Sequence, residues 1–187
     1  MDVKLLFEQC LVQTTEVMAQ VKTSQFSGPT PDTEWDVRTL IAHMLYELSW
    51  VADTLAGKTV AEVGQKYDGD LIDTDLQKNW RVAADNALDA VAQVDITRTI
   101  HLSYGDFPAE HYIREQANDQ LIHAWDLGSA IGVSVRFDPV VAEELYQAAL
   151  PRKDELAASG LFAPAVSVPE TADIQTKLLA LLGRRVP

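Results

Sequence analysis

The chain has 187 residues, 47% of them hydrophobic and 23% charged, the composition of an ordinary folded protein with one sizeable core. A formal net charge of -13 repels nucleic-acid backbones and anionic lipid surfaces, so neither is expected as a partner. No stretch approaches the roughly 18 apolar residues that cross a bilayer, and Asp2, Lys4 and Glu8 break any leader-like apolar run, which points to a single cytoplasmic domain over residues 1–187.

Periodicity predicts about six helical segments separated by short Pro- and Gly-marked breaks. The first runs from about Asp2 to Lys22, with Phe7, Leu11, Met18 and Val21 on its apolar face, and Ser27-Gly28-Pro29-Thr30-Pro31 ends it. Cys10, the single cysteine, excludes an internal disulfide and sits at helical spacing from Leu6, as a buried structural thiol does. The second helix starts near Trp35, carries Val37, Leu40, Ile41, Met44, Leu45, Leu48, Val51 and Leu55 at 3.6-residue spacing, and stops at Gly57. A third runs from about Asp73 to Val94 through Leu76, Trp80, Ala83, Ala87 and Val91.

Ile96 to Ser103 alternates and is rich in Thr and Ile, a short strand or an extended link, and Tyr104-Gly105-Asp106 then turns the chain. Pro108 opens a fourth helix that ends near Gly132. Asp138-Pro139 reads as an N-cap and N1 pair for a fifth helix to about Ala158. A sixth lies around Thr171 to Leu182 and stops at Gly183, and Ala165 to Val168 allows a little further strand. Antiparallel packing of the long helices gives an all-α, up-and-down four-helix bundle with additional short helices.

The chemistry-bearing residues lie on helix flanks. In the second helix His43 points away from the centre of the apolar stripe, beside Glu47 and Trp50. In the fourth, Asp119 and His123 lie off the stripe of Ile113, Ala117, Ala124 and Ile131. Their i, i+4 spacing projects both side chains from one face, close enough to share an ion. One histidine from a facing helix completes a three-ligand shell with positions left for water, the catalytic pattern for zinc. Taken alone, the Asp119–His123 pair is equally a solvated helix pair.

The wider pattern weighs on that choice. Thr30-Pro31, Trp35-x-Val37-Arg38-x-Leu40-x-x-His43, Gly105-Asp106-Phe107-Pro108 and Asp119-x-x-x-His123-x-Trp125-Asp126-Leu127 occur in this order. They are followed by Gly160-Leu161-Phe162, Val166-x-Val168-Pro169 and Leu178-Leu179-Ala180-Leu181-Leu182-Gly183-Arg184. Over nearly its whole length the sequence resembles the metal-binding N-terminal domain of the mycothiol-dependent maleylpyruvate isomerases, in the DinB-like superfamily, as an uncharacterised branch. The resemblance implies four long helices and a divalent metal held by His43, Asp119 and His123. Relatives often carry Glu at the carboxylate position, and Asp119 is one methylene shorter. The isomerase continues into an added C-terminal domain that shapes its thiol and substrate site. Here a short tail with one more helix follows the fifth helix, so maleylpyruvate isomerisation does not follow from the match.

Other motif residues have structural readings beside functional ones. Buried aromatics and a capping or paired Arg–Asp account for Trp35, Arg38, Trp125 and Asp126, with Asp126 also a candidate partner behind a metal ligand. Glu47, one turn after His43, is a candidate fourth ligand or general base. His111 lies two turns, about 12 Å, from Asp119, and His101 falls in the extended link, where an exposed surface position is expected. The leading expectation is a metal-dependent transferase or isomerase using mycothiol or bacillithiol on a small-molecule substrate. The alternatives are metal-assisted hydrolysis and a non-catalytic metal- or ligand-binding bundle. Zn²⁺ suits a His/Asp/His set best, with Ni²⁺, Mn²⁺ and Fe²⁺ as alternatives, and a homodimer is left open.

Overall fold

The computed structural model describes residues 1–32, 34–72, 75–158 and 163–186. The Gly160-Leu161-Phe162 motif and the expected helix start at Asp73 lie outside the described residues. The chain divides into two compact units, Met1–Ser134 and Val135–Pro187.

The first unit is a helical bundle. Helix α1 (Val3–Met18) is capped by Asp2, whose Oδ1 accepts from the backbone N–H of Lys4 at 2.9 Å and Leu5 at 3.2 Å. Its buried face, Val3, Leu6, Phe7, Cys10, Leu11, Thr14, Val17 and Met18, follows the helical repeat. The helix stops at Met18, four residues before the expected Lys22. There the Gln77 side-chain amide takes the Met18 carbonyl at 2.9 Å and the next N–H groups fall back to tighter turns.

Helix α2 (Val37–Leu55) is capped by Asp36 through the N–H of Thr39 at 2.8 Å. Val37, Leu40, Ile41, Met44, Leu45, Leu48, Val51 and Leu55 are buried, while His43, Glu47 and Trp50 on the flank are only half-buried. Gly57 ends this stretch at φ +85°, and a Cβ there would meet the Arg98 guanidinium at 2.5 Å. A short α3 (Val60–Val63) follows, capped reciprocally by Thr59 and Glu62. Helix α4 (Leu76–Gln93) buries Trp80, Ala83, Ala84, Ala87 and Val91, and the Trp80 indole N–H donates to Thr15 Oγ1 at 3.0 Å.

The alternating stretch forms β1 (Thr99–Leu102), paired antiparallel with β2 (Gly105–Pro108), with Ile100 opposite Phe107 and His101 opposite Asp106. Gly105 and Asp106 therefore begin a strand, where a turn was expected. The pairing is non-local to any one-strand pattern, and β2 is too short to show its own alternation. Helix α5 (Ala109–Ile131) starts after Pro108 and ends on Gly132 at φ +77°. From Gln120 to Gly128 every residue is buried, so this helix runs through the centre of the unit. It packs on α1 and α2, and α4 packs on α2 and α1, which completes the four-helix bundle.

In the second unit, α6 (Pro139–Ala149) is capped by Asp138 and packs on α8 (Ile174–Leu181), itself capped by Asp173. The expected continuous helix to Ala158 breaks into a 3₁₀ turn at Leu150–Arg152 before α7 (Lys153–Ala158). Pro151 has no N–H and its ring clashes with the carbonyl four residues back. Residues 165–168 form no strand; the Val166 N–H donates to the Ala180 carbonyl at 2.8 Å. No helix among the described residues is long and apolar enough to cross a membrane.

Candidate metal centre

Pairing of α2 with α5 brings His43 of one against Asp119 and His123 of the other. His43 Nε2 lies 3.6 Å and His123 Nε2 lies 3.5 Å from the same oxygen, Asp119 Oδ1. Among the described residues these three form the group of His, Cys, Asp or Glu side chains able to hold a metal ion, with donor atoms all within 4.8 Å of one another. The separations are long for hydrogen bonds. Donors bound to one ion at about 2.0–2.2 Å with tetrahedral angles lie roughly 3.3–3.6 Å apart, so each imidazole nitrogen already stands at ligand spacing from Asp119 Oδ1. The second carboxylate oxygen, Asp119 Oδ2, is buried with no hydrogen-bond partner among the described residues. The donor set, its spacing and the orphaned oxygen all fit a divalent cation.

The surrounding groups tune the cluster. His123 Nδ1 lies 3.0 Å from Asp126 Oδ2, and Asp126 is fully buried. A carboxylate there holds the proton on Nδ1 and leaves Nε2 facing Asp119. Burial disfavours the charged form of His123, yet the Asp119 charge and the two carboxylate contacts outweigh it and raise its pKa to about 9. Burial likewise opposes ionisation of Asp119, but the His123 charge and the close approach of both imidazoles hold its carboxyl well below the usual range. Glu47 is pushed up, first by burial and then by the Asp119 charge, against the Gln116 amide that donates to its Oε2 at 3.1 Å. Two carboxylates on facing helices, Glu47 of α2 and Asp119 of α5, within reach of the same imidazoles are thus shifted in opposite directions.

The remaining histidines stand elsewhere. His101 pairs across the hairpin with Asp106 at 2.8 Å, its side chain 42% exposed, and His111 stacks on Phe107 with ring centroids 4.4 Å apart. Arg38 binds Asp70 at 2.7 Å and lies over the Phe26 ring, and Trp125 is buried, so both fit their structural readings. Cys10 is buried, and burial pushes its thiol up to about 12. Sequence reasoning left one neighbour aside. Gln116 has no chemistry of its own to flag it, although it lies three residues before Asp119 on the same face. Trp35, a motif residue with both a structural and a functional reading in the sequence, packs its indole on His43 and His123 with centroids 4.8 and 5.8 Å away.

A helical bundle with a two-histidine, one-carboxylate cluster between facing helices defines a class of candidate metal-dependent proteins. Residues 7–128 match the family described as mycothiol maleylpyruvate isomerase N-terminal domain, and the chain belongs to that family. Two uncharacterized proteins, one from each of two strains of Mycobacterium tuberculosis, are each 32% identical over 139 residues, 71% of this chain and 69% of theirs. A crystal structure of a histidine-to-alanine mutant of the mycothiol-dependent maleylpyruvate isomerase has the same fold at 13% identity. The TM-score is 0.67 over 92% of this chain and 77% of that one. The helical-bundle fold of that isomerase is therefore shared, and the structural match extends past the family's residues.

Proposed function

We propose that this protein binds a divalent metal ion, Zn²⁺ first among candidates, through His43, Asp119 and His123, and uses it in a thiol-dependent transfer or isomerisation. The observation that carries the reading is the convergence of three donors from two helices, one of them a carboxylate whose second oxygen is buried with no hydrogen-bond partner among the described residues. Membership of a family described by its mycothiol-using isomerase supports the choice of a low-molecular-weight thiol, mycothiol or bacillithiol. A cytoplasmic setting keeps such thiols reduced.

The chemistry a divalent ion supplies at such a site is a lowered pKa for a bound thiol, which makes thiolate at neutral pH. The chain's own residues supply the rest. Asp126 fixes the His123 tautomer so that Nε2 faces the cluster. Glu47, its affinity for a proton raised by burial and by Asp119, accepts the thiol proton, and the Gln116 amide holds its carboxylate in place. Cys10, buried and hard to ionise, takes no part, which fits a thiol borrowed from a small molecule.

The test is metal analysis of natively purified protein, followed by transfer assays with mycothiol and bacillithiol against a panel of small electrophiles, for wild type and His43→Ala. Stoichiometric metal and thiol consumption, both lost in a folded His43→Ala protein, are expected. Metal without activity toward any thiol–electrophile pair, together with loss of the fold on chelation, would establish a non-catalytic ion instead.

A further inference from the structure

We infer that Trp35 is the positioning residue for His43, doing by ring packing what Asp126 does for His123 by a hydrogen bond; the inference rests on the metal-site reading above. The two imidazoles are held in different ways. His123 is anchored at Nδ1 by Asp126, 3.0 Å away. His43 has no such anchor at Nδ1 among the described residues, and its Nε2 approaches the Asp119 carboxylate at 3.6 Å. A histidine χ2 is a broad, roughly two-fold torsion. An imidazole without an anchor at Nδ1 therefore turns its Nε2 away unless packing prevents it.

Trp35 provides that packing. Its indole lies 4.8 Å from the His43 ring at 44° and 5.8 Å from the His123 ring at 38°. The two imidazoles meet each other edge to face, 4.9 Å apart at 82°. One side chain thus contacts ligand rings from both helices, at distances where aromatic pairs attract. The backbone that carries the indole is itself held in place. The Trp35 main-chain N–H donates to the Asp32 carbonyl at 3.1 Å, and the Trp35 main-chain carbonyl accepts from Thr30 Oγ1 at 2.9 Å. The next residue, Asp36, bridges to Pro29 and caps α2. The loop before α2 is therefore built to hold an aromatic ring against the donor cluster.

The experiment measures Zn²⁺ affinity by competition with a chromophoric chelator, and the visible spectrum of the Co²⁺-loaded protein, for wild type, Trp35→Leu and Trp35→Phe. Outer groups that orient a metal-bound imidazole typically contribute about 10–100-fold in metal affinity. Trp35→Leu is expected to weaken Zn²⁺ binding by about the lower end of that range and to alter the Co²⁺ bands. Trp35→Phe, which keeps an aromatic face, recovers most of the loss. Circular dichroism and thermal unfolding of the metal-free proteins check that both variants fold. A folded Trp35→Leu protein with wild-type affinity and spectrum overturns the inference. Equal weakening in both variants with a matching loss of metal-free stability also overturns it, because that marks packing alone. Wild-type protein that takes up neither ion sinks the metal-site reading and this role with it, and is recognised before any substitution is made.

Discussion

His123 and Asp126 are one helical turn apart on α5, and their side chains meet at 3.0 Å in a fully buried contact on the side of the imidazole away from Asp119. The carboxylate decides which nitrogen faces the cluster. Asp126→Asn should therefore leave the three donors in place and weaken Zn²⁺ binding by about 10–100-fold, measured by chelator competition. An Asn amide presents either an N–H or a carbonyl to Nδ1, so the tautomer is no longer fixed.

Metal uptake should release a proton. With its pKa raised to about 9 by Asp119 and Asp126 against burial, His123 is protonated in the metal-free protein at neutral pH, and only the neutral ring ligates. Apparent affinity should rise with pH until that pKa is passed, then level off. Calorimetric titrations at about pH 7.5 in buffers of different ionisation enthalpy should give about one proton released. A proton count of zero with tight binding would exclude His123 as the charged group.

Asp53 should set part of the acid limb of stability. Its side chain is largely buried, which opposes ionisation. Lys58 at 2.7 Å, Lys66 at 2.6 Å and the Tyr67 hydroxyl at 2.8 Å outweigh that and lower its pKa to about 2. A depressed carboxylate stabilises the fold above its unfolded pKa and loses that contribution as pH falls through its folded one. The contribution is on the order of 1–2 kcal/mol after screening of the half-exposed lysines. Asp53→Asn should lose it at neutral pH, and the gap from wild type in denaturant titrations should close between about pH 4 and pH 2.

Cys10 should resist alkylation in the native state. Burial pushes its thiol up to about 12, and the thiolate is the reactive form. Iodoacetamide at mildly alkaline pH should modify the unfolded protein and spare the folded one. Modification at equal rates in both would contradict the burial.

Much of the bundle was legible because the signals are local. Gly57, Asp138 and Gly132 mark ends, and the stripe from Val37 to Leu55 has a helical period that only one face of α2 satisfies. The hairpin and the break at Pro151 were less so. Strand β2 owes its form to the register with β1, a contact outside its own four residues. For the cluster, the i, i+4 spacing of Asp119 and His123 is readable in sequence, but the partner helix is not. His43 reaches them because α2 packs on α5, and the orienting contacts of Trp35 and Gln116 are likewise tertiary.

The split of the donors between α2 and α5 has a consequence for biosynthesis. When His43 leaves the ribosome it has no companion, and nothing gathers around it until Asp119 and His123 have been made and α5 has docked. Any ion the cluster takes is thus acquired late, by a chain that has already committed most of its bundle. The metal content of a purified preparation then reports how much of the protein reached the paired state. A chain cut short before α5 would lack Asp119 and His123, two of the three donors, and with them the helix at the centre of the unit.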